Sequence, residues 1–124
     1  VAVLILVATD ADEVFEEVDA ALGSASVEVR RIRDGRAVRR AAAELCPDLL
    51  VVDLQIGSMG GVAVCLDLRL EEGAGRLDPQ RVLLLVDRES DRFLAERSGA
   101  DRWLAKPVDA GRLADAVHEV LATA

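Results

Sequence analysis

Four consecutive apolar residues, Leu49-Leu50-Val51-Val52, run out of Pro47-Asp48 and end on the acid Asp53. A polar, Gly-rich stretch from Gln55 to Gly61 follows. A short apolar run without alternation describes a central strand buried on both faces. A carboxylate at its end lies at the carboxyl edge of the sheet, where open α/β sheets bind their ligands. The plainer role for Asp53 is a turn or helix cap. Three other apolar runs also end on charged residues, which favours a site.

Val1 to Ala8 reads as the first buried strand, followed by Thr9, Asp10 and Asp12. Val14, Val18, Ala21 and Leu22 recur at helical spacing, with Phe15 widening the stripe, and Gly23 ends this helix. Asp10 and Asp12 stand near its start, where carboxylates favour the helix dipole. Capping is the expected role of Asp12, and a functional one that of Asp10. Val27 to Ile32 alternates apolar and charged residues, the mark of an edge strand. Asp34-Gly35 is a turn signal, and Arg36 to Leu45 a second helix with Val38, Ala41, Ala42 and Leu45 inward. A third helix spans Val62 to Leu70, with Val62, Cys65, Leu66 and Leu70 inward, and Glu71 to Pro79 is a loop. Arg81 to Val86 is the fourth strand, ending on Asp87. A short helix through Ser98 follows, lightly anchored by Phe93 and Leu94. Arg102 to Ala105 is the fifth strand, ending on Lys106-Pro107. Asp109 caps the last helix, Ala110 to Ala122. Five strand–helix units predict a parallel sheet with helices on both faces and right-handed crossovers.

The 124 residues suffice for one domain and not two. Cys46 and Cys65 read as core residues of a reduced, cytoplasmic protein. Neither a signal peptide nor a membrane-length apolar run is visible. A net charge of −8 argues against direct nucleic-acid or anionic-membrane binding. With Phe15, Phe93 and Trp103 the only aromatics, no base-stacking platform exists. Fourteen of the 15 basic residues are Arg, and the exception is Lys106. A compact point charge kept beside a proline in an Arg-rich chain marks Lys106 for a local role. His118, without a second His, is a surface or packing residue.

If the strands that end on Asp10, Asp53 and Asp87 are neighbours, three carboxylates converge at one edge. Their repulsion is relieved by a hard cation such as Mg²⁺, for which Asp10, Asp53 and a carbonyl near Gln55 suffice. Lys106 would neutralise part of the charge and pair with a phosphoryl oxygen. An Asp in that setting can attack phosphorus and form an acyl phosphate.

The stretches PDLLVVDLQIGSMGG around Asp53 and GADRWLAKPVD around Lys106 carry a family resemblance. Nearly the whole chain resembles the receiver domain of two-component response regulators. The resemblance implies a flavodoxin-like (βα)5 fold, a five-stranded parallel sheet ordered 2-1-3-4-5. It implies that Asp53 is the phosphorylated aspartate, fed by a histidine kinase or phosphotransfer protein, and that Asp10 is the direct Mg²⁺ ligand of the acidic pair Thr9-Asp10. Lys106 then matches the family's lysine, before a cis Pro107, and Trp103 its switching aromatic. A downstream effector or output domain is the implied partner.

The departures from the pattern are specific. Thr9 replaces an acid, so metal binding should weaken. Val86 stands where the family has Thr or Ser, and valine donates no hydrogen bond to a phosphoryl group. Asp87 stands where a small residue is usual, and a second carboxylate beside a phosphoryl dianion is unfavourable. Gly57 and Gly60 replace Pro and Asp, which implies a looser loop. Two readings follow: a weak phosphoacceptor on Asp53, or a phosphorylation-independent interaction module acting through its fourth-helix, fifth-strand and fifth-helix face. A third, different class is a small phosphatase, since Asp10-Ala11-Asp12-Glu13-Val14 resembles the nucleophile loop of haloacid dehalogenase-type enzymes. The chain has no room for the cap those enzymes need. A weak homodimer through the last two helices would use Arg92, Arg97, Arg102 and Arg112 against Glu96, Asp101 and Asp115.

Overall fold

The computed structural model of the chain describes residues 2–122. Five strands and five helices alternate: β1 (Val3–Ala8), α1 (Asp12–Leu22), β2 (Val27–Ile32), α2 (Val38–Leu45), β3 (Leu49–Asp53), α3 (Gly61–Gly73), β4 (Val82–Val86), α4 (Arg92–Arg97), β5 (Arg102–Ala105) and α5 (Ala110–Ala122). All neighbouring strands are parallel, in the order β2-β1-β3-β4-β5. The expected (βα)5 architecture is therefore present, with β2 at one edge as its alternation predicted. Val1, placed in the first strand by the sequence, lies outside the described residues.

Alternation along the buried strands feeds two cores. Leu50, Val52, Val82, Leu84 and Val86 pack with residues of α2, α3 and α4. Leu49, Val51, Leu83, Leu85 and Leu104 pack with α1 and α5. Every residue of β3 and β4 is buried, which is why those segments read as unbroken apolar runs. No helix among the described residues is long and apolar enough to cross a membrane.

Several helix faces differ from expectation. The inner face of α3 is Val64, Cys65 and Leu68, while Leu66 and Leu70 are exposed and Val62 is half-buried. This helix is apolar on two sides, so the sequence offered two stripes, and the sheet took the one continuous with Gly61. It also runs on through Glu71 to Gly73, where the sequence suggested a loop. Arg39 and Arg76 hold the Glu71 carboxylate at 3.0 and 2.7 Å and compensate a charged residue on the inner side. The Arg76 hydrogen bond leads in holding that carboxyl below the usual range. The second helix opens with a short 3-10 turn, Gly35–Ala37, and its Leu45 is exposed. Cys46 is exposed in a left-handed conformation past α2, so only Cys65 is a core thiol, and burial pushes it up to about 11. Phe93 and Leu94 face outward, and Ala95 and Ser98 hold α4 to the sheet instead. His118 is exposed, as expected.

Gly61 sets how closely α3 approaches β3. A Cβ there would stand 2.6 Å from the Asp53 carbonyl oxygen and 2.7 Å from Leu54 Cα, both backbone atoms that cannot turn aside. Gly61→Ala is expected to cost about 1–3 kcal/mol, as overpacking does. Gly73→Ala, at the end of α3, meets nothing within 4 Å and should stabilise the chain by about 0.4–1 kcal/mol. Urea unfolding of the two variants checks the contrast.

Candidate functional site

Register explains why distant residues meet. Ala8 pairs with Val52, so Thr9 comes beside Asp53. Asp53 pairs with Leu85, and Leu85 with Leu104. Two residues beyond Leu85 and Leu104 stand Asp87 and Lys106. Side chains alternate along a strand, so Thr9, Asp53, Asp87 and Lys106 share one parity and leave the carboxyl edge on the same side. Val86 has the other parity and is buried in the core under α3 and α4.

Asp53 is almost wholly buried, at 1% exposure. A buried carboxylate needs partners, and Asp53 has three. Lys106 Nζ donates to Oδ1 at 2.5 Å, the Gln55 backbone N–H donates to the same oxygen at 3.0 Å, and Thr9 Oγ1 donates to Oδ2 at 2.7 Å. The Thr9 hydroxyl also accepts from the Ala11 amide at 3.1 Å, which fixes the start of α1. Thr9 thus binds Asp53 directly.

Asp87 points into the site. Its Oδ1 accepts from Lys106 Nζ at 3.1 Å and its Oδ2 from Gln55 Nε2 at 2.5 Å. The Gln55 hydrogen bond, followed by Lys106, holds the Asp87 carboxyl below the usual range against partial burial. Burial lowers the affinity of Lys106 for its proton, but the Asp53 and Asp87 carboxylates outweigh it and hold the ammonium above its ordinary value. One cation therefore serves two carboxylates. The peptide bond from Lys106 to Pro107 is cis, as the resemblance implied.

Asp10 is exposed and accepts from the Gly57 amide at 2.9 Å. The expected three-carboxylate cluster is not formed: Asp10 turns to Gly57, while Asp53 and Asp87 share Lys106. Among the described residues no group of three or more His, Cys, Asp or Glu gathers for a metal. The loop after β3 is also not the loose segment that Gly57 suggested. Gly57 donates to Asp10 and accepts from the Gly35 amide at 3.1 Å, and a Cβ at Gly57 would lie 2.8 Å from the Asp10 carboxylate. Proline could not supply that donor. No sequence signal distinguishes a glycine kept for its amide from one kept for freedom.

Asp12 neither caps α1 nor enters the site. It pairs with Arg31 of β2 at 2.7 Å and with Arg33, just past that strand, at 3.5 Å, and the Arg31 contact lowers its pKa. Ala11 is the N-cap residue of α1. The phosphatase reading, which needs Asp12 beside Asp10 in the pocket, has no geometric support. Trp103 is half-buried on β5 against the α3–α4 core, and pairs with Leu84. Of the dimer residues, Arg102 pairs with Glu119, Asp101 with Arg69, and Arg112 approaches Glu89, all within the chain. Asp109 caps α5 as expected, accepting from the Gly111 amide at 2.9 Å.

A doubly wound sheet of this order, with a buried Asp and a Lys meeting at its carboxyl edge, is the architecture of a family of signalling modules. The chain belongs to the response regulator receiver domain family, whose profile matches residues 5–118. It is 30% identical over 117 residues to the DNA-binding dual master transcriptional regulator RpaA of Synechocystis, covering 94% of this chain and 48% of RpaA. The chain thus spans about half the length of that relative. Among solved structures, a Chloroflexus aurantiacus protein assigned as a response regulator superposes with a TM-score of 0.86 at 27% identity, covering 98% of this chain and 99% of that one. The receiver domain of the Pseudomonas aeruginosa sensor histidine kinase PA1611 gives 0.83 at 21% identity, covering 99% and 100%, and its structure holds a magnesium ion in the active-site cleft.

Removing Lys106 would leave two carboxylates sharing one site. Lys106→Met is expected to destabilise the fold by about 1–2 kcal/mol at neutral pH, below the range for fully buried pairs because Lys106 keeps 20% of its side-chain exposure. The loss should shrink when Asp53→Asn is already present. A double-mutant cycle in urea measures the coupling.

Proposed function

We propose that this receiver domain takes a phosphoryl group on Asp53 from a histidine kinase or phosphotransfer protein, and passes the signal to a downstream effector or output domain. The observation that carries this reading is the buried Asp53 carboxylate held at the sheet edge by Lys106 and Thr9. A carboxylate oxygen of Asp53 attacks phosphorus, the P–N bond of the donor's phosphohistidine breaks, and the departing imidazole takes up a proton from solvent. Lys106 is placed to pair with a phosphoryl oxygen as negative charge gathers there. Thr9 holds the other carboxylate oxygen and keeps the attacking group in one orientation.

Magnesium is the metal the family implies. The donors at this rim are all oxygens, which suits a hard cation that accepts one or two carboxylates and keeps several waters. Asp10, Asp53 and the Gln55 carbonyl would hold it, and it would supply charge neutralisation between the carboxylates and the incoming group. Lys106 and Thr9 already occupy Asp53, so a low affinity is expected. The Pseudomonas receiver with its bound magnesium ion supports the assignment by likeness of fold.

A second reading, a phosphorylation-independent interaction module, has its own support. Val86 is buried and has no hydroxyl to draw the loop after β4 toward a phosphoryl group. Asp87 already neutralises Lys106. In that case the α4-β5-α5 face would bind a partner in one fixed form, a second copy of the chain included.

Incubation with acetyl phosphate and Mg²⁺, read by intact mass, separates the two. The first reading expects one phosphoryl group on the native chain and none on Asp53→Asn. No gain with acetyl phosphate or a cognate kinase leaves the second. Because Val86 cannot donate, phosphorylation should barely change Trp103 fluorescence, and Val86→Thr should enlarge the change.

A further inference from the structure

We propose that Asp87 and Gln55 form a clasp across the mouth of the Asp53 pocket, which restrains phosphoryl donors from reaching it. The inference rests on the phosphoacceptor reading and adds a control to that site.

Three loops leave the carboxyl edge after β3, β4 and β5, and one chain of hydrogen bonds joins them. Gln55 Nε2 donates to Asp87 Oδ2 at 2.5 Å, Lys106 Nζ donates to Asp87 Oδ1 at 3.1 Å, and Lys106 Nζ donates to Asp53 Oδ1 at 2.5 Å. Asp87 spends one oxygen on each neighbour, so its carboxylate spans the gap between the loop after β3 and Lys106. The order of exposure places this span outside the acceptor: 1% for the Asp53 side chain, 20% for Lys106 and 35% for Asp87, with Gln55 exposed. Asp87 is also held from behind. The amides of Asp87 and Arg88 both donate to Asp91 Oδ2 at 3.2 Å, which anchors the turn that carries it.

A donor approaching Asp53 meets this span first. The incoming dianion needs the ammonium that Asp87 has engaged, and it is repelled by the Asp87 carboxylate at close range. Asp87 must swing out before transfer, giving up Gln55 and Lys106 together. Gln55 has no charge, so its part in this arrangement is purely to hold Asp87 across the opening. That property separates a clasp from simple repulsion by a nearby acid.

The test uses the native chain, Asp87→Ala, Gln55→Ala and the double variant, with two readouts. The first is the rate of phosphoryl gain from acetyl phosphate with Mg²⁺ by intact mass. The second is the Gln55 side-chain amide in ¹H–¹⁵N spectra. In the native chain this amide should be shifted from the position of a free glutamine, and Asp87→Ala should return it there. Asp87→Ala should accelerate phosphoryl gain roughly five- to tenfold, the scale of one partly exposed charge-assisted contact. Gln55→Ala should accelerate it less, and the double variant should be no faster than Asp87→Ala. A native Gln55 amide at the free position overturns the clasp. So does Gln55→Ala at the native rate beside a fast Asp87→Ala, which is the signature of charge repulsion alone. Equal or slower rates in the variants overturn it while leaving Asp53 an acceptor. Absence of phosphoryl gain in all four chains removes the acceptor reading, and the clasp's control over it with it.

Discussion

The Lys106 ammonium between Asp53 and Asp87 is the contact on which the arrangement of the rim depends. Asp53 ends a strand buried on both faces, so its charge sits where water cannot reach it. Such a group must be paired and hydrogen-bonded, and its three donors come from the ends of β1 and β5 and from its own loop. Those bonds fix the loops relative to one another. The choice of lysine follows from the same constraint. An ammonium has three donors around a compact centre and can face two carboxylates on different strands. A guanidinium is a broader planar fork. A compact lysine fits the narrow space between the two carboxylates in a chain that otherwise uses Arg.

The loop after β3 is held by a second, weaker set of bonds. Gly57 presents its amide to Asp10 and its carbonyl to Gly35, and so links the ends of β1 and β2 to the loop that follows the acceptor. Gly61 then lets α3 start directly against the Asp53 backbone. Both glycines serve close approach. Neither adds slack, and the rim is more tightly connected than its glycine content suggests.

The parallel sheet, its two cores and the meeting of Asp53 with Lys106 were legible in the sequence because they rest on period and on strand ends, whereas the strand order came with the family resemblance. Burial on both faces leaves unbroken apolar runs, and parallel register brings their ends to one edge. What failed to show were faces and side-chain partners. Leu66 and Leu70 have the spacing of an inner stripe but point outward, since α3 carries apolar residues on more than one side. Phe93 and Leu94 look like anchors, yet a short helix held by Ala95 and Ser98 turns them to solvent. Cys46 looks like a core thiol until the left-handed turn after α2 carries it out. The bond from Gln55 to Asp87 joins loops 32 residues apart and leaves no trace in local pattern. Asp12 kept its place at a helix start but found Arg31 on the next strand, a stronger partner than the helix dipole.

Val86 and Asp87 are one residue apart but cannot stand in for each other. Alternation sends Val86 into the core under α3 and α4, and sends Asp87 to the side shared by Asp53, Thr9 and Lys106. A hydroxyl at position 86 would reach the acceptor from the α3–α4 side and draw that loop inward. The carboxylate at 87 reaches Lys106 from the other side and is repelled by the charge a hydroxyl would welcome. The end of β4 has thus lost a donor that attracts and gained an acceptor that excludes. The response of this loop to negative charge at Asp53 should therefore be outward, because the one polar side chain it offers there is an anion.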